Sequence, residues 1–181
     1  MPLPAGPIVG PVPEGRDADE YDKLRRRVLW AMPYGLYVLG TRAGDRRNGM
    51  TLNWATQVSF DPKLVAVSVE KEAFTHELLL EGKVFTLNLV DREDRALVRK
   101  FTKPVEVDLE AKTLNGFAFH DALSGAPVLD DAMAYVDCAV RQQVDVGGHT
   151  LFLGEVVDAG FQKSEETGAL RMEDTRMNYG G

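Results

Sequence analysis

Between Thr51 and Phe60 the chain alternates with period two: Thr51, Asn53, Ala55, Gln57 and Ser59 fall on one face, and Leu52, Trp54, Thr56, Val58 and Phe60 on the other. That spacing predicts a strand. Asp61 and Pro62 then turn the chain into LVAVSV at 64–69, a continuous valine-rich run of the kind buried on both faces of a sheet. The same kind of signal recurs elsewhere. GLYVLGTR at 35–42 is separated from the alternating segment by the turn-forming GDRRNG at 44–49, and 84–89 is again apolar. At 134–145, Val136, Cys138, Val140 and Val144 stand opposite Asp137, Arg141, Gln143 and Asp145, and the VGGHT turn leads back through 151–159 as a long antiparallel hairpin. Helical spacing is confined to 17–30, where Tyr21, Leu24, Val28 and Leu29 form a stripe, to a short helix at 76–81 capped by Thr75, and to 92–101. Residues 102–130 show no sustained period and are expected to be irregular loops around a short strand at 116–120. The expected fold class is mainly β (α+β), a barrel with a few peripheral helices. One domain spans 17–181, preceded by an extended arm over 1–16 that holds five of the nine prolines and is expected to pack across a dimer.

Composition narrows the function. The 21 Lys and Arg stand against 28 Asp and Glu, a net charge of -7, which opposes attraction to nucleic acid or anionic lipid, so neither is expected as a partner. No apolar run approaches the roughly 20 residues of a membrane helix, and the proline-broken N-terminus does not read as a secretory leader. A single cysteine, Cys138, fits a cytoplasmic setting and cannot build an internal disulfide. Its place on the apolar side of its strand assigns it to the core. No metal site is expected, because His76, His120 and His149 lie in separate segments without a second ligand nearby. GxSxG, GxGxxG and GxxxxGK[ST] are all absent, which removes the nucleophile-elbow and glycine-loop routes to chemistry.

The polar face of 51–59 is built from short neutral side chains, where a solvent face would favour Lys, Glu and Arg. Such a face lets a planar polar ligand approach the backbone, although a half-exposed sheet would also tolerate it.

NGMTLNWATQVSFDPKLVAVSVEKEAFTHELL at 48–79 resembles the signature segment of the flavin reductase-like proteins with an FMN-binding split barrel. LVRKFTK at 97–103, SGAPVLDDAMAYVDCAV at 124–140 and GGHTLFLGEVVDAG at 147–160 resemble later segments of that family in the same order. Two departures stand out. Lys63 follows Pro62 where the family has a second proline, and Gly147, Gly148 and His149 replace its usual Gly-Asp-His.

The resemblance implies a homodimer with FMN, or as second choice FAD, at the subunit interface, reduced by NADH or NADPH. The acceptor would be free flavin, a monooxygenase partner or a redox protein. It places Thr51, Asn53, Trp54, Ala55, Thr56 and Gln57 along the ring and ribityl chain, and Ser68, Glu70, Lys71, Thr75, His76, Arg99 and Lys100 around the phosphate. His149 would be the catalytic residue beside flavin and nicotinamide. The residue chemistry is compatible, since a phosphate needs hydroxyl and amide donors plus cations. Other readings stand beside these. Arg99 and Lys100 also suit a helix C-terminus, His76 also suits a buried helix start, and Trp54 also suits core packing. An FMN electron carrier of flavoredoxin type, without significant NAD(P)H oxidation, is the alternative function.

Overall fold

The computed structural model describes residues 12–179, so residues 1–11 of the expected arm lie outside the described part. Asp17 caps the first helix, α1 (Ala18–Trp30), its carboxylate accepting from the Glu20 amide at 3.0 Å. Acidic residues open this helix and Arg27 stands in its last turn, which suits its dipole. No residue of α1 is buried; the expected stripe ends in Val28 and Leu29, both exposed, as is Trp30 after them.

Seven antiparallel strands form the main sheet: β1 (Tyr37–Ala43), β2 (Arg46–Leu52), β3 (Ala55–Phe60), β4 (Lys63–Glu70), β5 (Val84–Leu89), β10 (Ala134–Asp145) and β11 (His149–Phe161). Their spatial order is β2-β1-β5-β10-β11-β4-β3. The edge strands β2 and β3 are joined only by Asn53 and Trp54. Three Cα steps reach about 11 Å at most, whereas seven strands laid flat at about 4.8 Å spacing would separate the edges by roughly 29 Å. The sheet therefore curls until its edges meet, making a barrel left split where β2 and β3 fail to pair.

Here the structure corrects the reading of 51–60 as one strand. The alternation runs through a break: Thr51 and Leu52 end β2, which already begins at Arg46 inside the expected 44–49 turn, and 55–60 form β3 on the opposite edge of the sheet. In β3 neither face is buried, and a bulge near Val58 shifts the register. Val58 and Phe60 are 50% and 83% exposed.

The remaining strand expectations hold, including β4 with both faces buried at 65–67 and the long β10–β11 hairpin. Leu39, Val67, Phe85, Cys138 and Phe152, from five different strands, form the barrel interior. Gly154 on β11 faces this interior because a Cβ there would stand 2.5 Å from the Phe85 ring. Asp137, expected on the polar side of β10, is fully buried, and its carboxylate accepts from the Ser124 amide and hydroxyl. Buried polar groups require such partners.

Helix α2 (Phe74–Gly82) packs on β1, β2 and β4. Its N-cap is Ala73, so Thr75 sits inside the first turn, where its hydroxyl accepts from Asn48 Nδ2 at 2.7 Å, and is not the cap. Helix α3 (Arg95–Lys100) is shorter than the expected 92–101 because Asp94 caps it, accepting from the Leu97 amide. The stretch 102–130 is more regular than its sequence indicates. β6 (Val107–Asp108), β7 (Thr113–Leu114), β8 (Phe117–Asp121) and β9 (Pro127–Leu129) form a second, four-stranded sheet. Such two- to five-residue strands are too short to show a period. Phe119 and Leu129 from this sheet join Val38, Leu97, Val98 and Phe101 in a core on the outer side of the barrel. Among the described residues no helix is long and apolar enough to cross a membrane.

Candidate functional site

Where the barrel is split, a cleft of about 720 Å³ opens between β2, the start of α2, the segment after α3 and the C-terminal stretch. Its size and mixed lining suit a cofactor. Thr51 enters it from the end of β2, Asn53 from the break that follows, Ser68 and Glu70 from the end of β4, and Thr75 from the first turn of α2. The Thr51 amide donates to the Phe101 carbonyl at 3.0 Å and its hydroxyl to the Val98 carbonyl, which ties β2 to the end of α3. The Asn48–Thr75 hydrogen bond does the same between β2 and α2. Both links hold the walls at a fixed separation.

Asn53 is the most telling of these residues. It is 3% exposed, and its Nδ2 has no hydrogen-bond partner among the described residues. A buried donor left unmade costs roughly 1–3 kcal/mol, which a ligand acceptor reaching the cleft wall would recover.

Beside the cleft, Trp54 packs against His149 and Tyr179 with ring centroids 5.0 and 5.3 Å apart. His149 Nε2 and the Tyr179 hydroxyl are 3.4 Å apart. Burial and the nearby Glu70 charge raise the Tyr179 pKa, so its hydroxyl keeps its proton. His149 opens β11 next to a tightly bonded turn: Asp145 accepts from the Gly147 amide, and the Lys71 amide donates to the Gly148 carbonyl.

Other residues singled out in the sequence stand apart from the cleft. Lys71 Nζ is engaged by both oxygens of Asp145 at 2.9 and 2.8 Å, and this ion pair holds the Asp145 carboxyl below the ordinary range. His76 is buried beneath the site, with Nε2 2.8 Å from the Thr150 hydroxyl and its ring edge-on to Phe152. Burial and the Lys71 charge lower its pKa, which favours the neutral ring. Ala55 is half-buried against the barrel interior, and Thr56 and Gln57 are exposed on β3. Arg99 and Lys100 are exposed in the last turn of α3 and do not line the cleft. The residues that follow them, Thr102 and Lys103, do.

Among the lining residues that escaped the sequence reading are Lys103, Met177 and Tyr179. Lys103 closes the LVRKFTK segment, but periodicity directed attention to the helix before it. Met177 and Tyr179 belong to an aperiodic stretch, which only long-range folding carries across the cleft.

Residues 29–180 match the flavin reductase like domain. The chain belongs to this family. It is 34% identical to an NADH-dependent FAD reductase of Streptomyces globisporus over 84% of this chain and 83% of that protein. It is 33% identical to a high molecular weight rubredoxin of Moorella thermoacetica over 74% of this chain, but spans only 58% of the rubredoxin's length. In three dimensions it is similar to the NADH:FAD oxidoreductase SgcE6 of Streptomyces globisporus C-1027, with a TM-score of 0.71, 30% identity and coverage of 91% and 90% of the two chains. These likenesses agree with the split barrel and with the family resemblance carried by residues 48–79.

Proposed function

We propose that this chain is an NAD(P)H-dependent flavin reductase, acting in the cytoplasm as a homodimer that holds flavin in the cleft. The observation that carries the reading is the unpartnered amide of Asn53 in the wall of a cofactor-sized cleft. The donor set fits a flavin. Asn53 Nδ2 suits a ring carbonyl or nitrogen, while the hydroxyls of Thr51, Ser68 and Thr75 together with Lys103 suit the ribityl chain and phosphate common to FMN and FAD. A bound flavin supplies the hydride acceptor for reduced nicotinamide and returns electrons to free flavin, a monooxygenase or a redox protein.

The protein's own part is orientation and exclusion of water. Trp54, His149 and Tyr179 form an aromatic wall beside the cleft, against which a planar ring can lie. The bonded turn at 145–148 fixes His149, whose Nε2 stands 3.4 Å from the Tyr179 hydroxyl, where the ring can orient a ligand or relay a proton. No side-chain nucleophile is needed, which accords with the absence of such motifs from the sequence.

The test is the near-ultraviolet and visible spectrum of the protein mixed with FMN, followed by anaerobic NADH and then NADPH. Bleaching of the flavin bands by a nicotinamide is expected, and protein that binds no flavin refutes the reading. His149→Ala should lower turnover more than flavin affinity; lost flavin with unchanged turnover per bound flavin would remove His149 from the chemistry. The similarity to a rubredoxin favours one other reading, an FMN electron carrier. Bound flavin that resists both nicotinamides yet is reduced rapidly by a redox protein would select it.

A further inference from the structure

His149 is reached through two consecutive glycines, Gly147 and Gly148, and a Cβ on either would meet nothing within 4 Å. Gly147 holds φ at +93°, a conformation that favours glycine. Packing therefore leaves this turn free, yet the ring that follows it stands 5.0 Å from Trp54 beside the cleft. We infer that Lys71 and Asp145 are positioning residues for His149: their ion pair clamps the 145–148 turn to the end of β4 and so fixes where the imidazole stands. The inference rests on the flavin reductase reading and deepens it.

Several bonds converge on the turn. Lys71 Nζ donates to both Asp145 oxygens, and Asp145 Oδ1 also accepts from the Gly147 amide at 2.9 Å. The Lys71 amide donates to the Gly148 carbonyl at 3.0 Å, so one residue grips the turn by main chain and side chain together. The Val146 amide closes the turn on the His149 carbonyl at 3.1 Å. Lys71 directly follows Glu70, which pairs with His149 across β4 and β11 and lines the cleft. On the far side, the Thr150 hydroxyl meets the buried His76 ring at 2.8 Å. The strand beyond His149 is thus anchored in the interior, and the turn before it is what the ion pair must fix.

Two other roles for the pair fit less well. A phosphate contact for Lys71, the role implied by the family resemblance, is opposed by its position: Lys71 does not line the cleft, and its ammonium already meets a carboxylate. A role in overall stability is opposed by exposure. The Lys71 and Asp145 side chains are 35% and 70% exposed, and ion pairs of that kind add little to global stability. Such a pair can instead remove local freedom, and glycines are where that freedom is largest.

The test compares the wild type with Asp145→Asn, Lys71→Met and Lys71→Arg, each with and without His149→Ala. In flavin-free protein, NMR should show contact between the His149 ring and the Trp54 indole, the histidine signal being assigned by its loss in His149→Ala. The contact should persist in Lys71→Arg and weaken in Asp145→Asn and Lys71→Met, with urea midpoints little changed. In flavin-loaded protein, those two variants should lose roughly three- to thirtyfold in turnover with the nicotinamide, the scale of a small misplacement. Affinity for FMN and for riboflavin should change by less than about twofold, and in the His149→Ala background neither substitution should lower turnover by more than about twofold. An equal loss of turnover without His149, or an unchanged ring contact, would overturn the inference. So would a Lys71→Met chain that loses affinity for FMN but not riboflavin, which would return Lys71 to the phosphate. If Asp145→Asn fails to fold, Lys71→Met against Lys71→Arg decides, since that comparison keeps the Asp145–Gly147 bond. Wild-type protein that binds no flavin would refute the reductase reading, and the ring contact alone would then judge the clamp.

Discussion

The two edges of the barrel sheet, β2 and β3, are separated in sequence only by Asn53 and Trp54 and yet meet opposite fates. β2 is roofed by α2, tied to α3 through Thr51, and buries Asn48, Gly49 and Leu52. β3 has no roof, and its Phe60 is the most exposed of the large apolar side chains in the described residues. An edge strand that shows apolar side chains and unpaired backbone is ordinarily protected by a partner. The difference teaches that α2 and α3 cover the β2 edge within the chain, whereas the β3 edge leaves apolar side chains open to a second surface, which the proposed homodimer would supply.

That contrast can be broken by mutation. Phe85→Ala, in the sealed interior, should cost about 3–5 kcal/mol in urea unfolding, while Phe60→Ala should cost far less than that. Comparable losses would mean that β3 is covered in solution as fully as the interior. Phe60→Asp sharpens the point: sedimentation should show a dimer converted to a folded monomer, and an unchanged dimer would move the interface away from β3. On the other edge, Asn53→Ala should leave the unfolding midpoint unchanged or raised, since it deletes an unpaired buried donor, and should weaken FMN binding roughly three- to tenfold. Unaltered FMN affinity would take the amide out of the site.

The smallest effect concerns His76, under the β2 side. Its folded-state pKa lies below the ordinary 6.5, so as pH falls the unfolded chain takes up the proton first. Stability from the neutral ring is therefore full above about pH 6.5 and declines as pH drops toward the lower folded-state value. His76→Gln should remove that part of the decline in urea midpoints between neutral and mildly acidic pH. An identical pH slope in the variant would show that the ring titrates normally.

Much of this was legible beforehand where local spacing carries the information. The valine run of β4, the β10–β11 hairpin and the core position of Cys138, whose thiol burial pushes up to about 12, follow from periods of two and from apolar content. Thr51, Asn53, Ser68, Glu70 and Thr75, marked by the family resemblance, do converge on one cleft. Arg99 and Lys100 do not, because a basic pair ending a helix looks the same whether it serves the dipole or a ligand. The two-residue and three-residue strands of the second sheet had no period to display.

The sequence by itself determined the strand-rich class and the helix at 17–30, because those depend on spacing and on chemical type, while the residues proposed to meet a flavin were marked by the family resemblance. Only the tertiary structure decided that 51–60 breaks at Asn53 and Trp54. It alone brought Tyr179 to His149 and turned Lys71 toward Asp145. These depend on closing a seven-stranded sheet into a barrel, and closure is set by which distant strands pair, a choice no local period encodes.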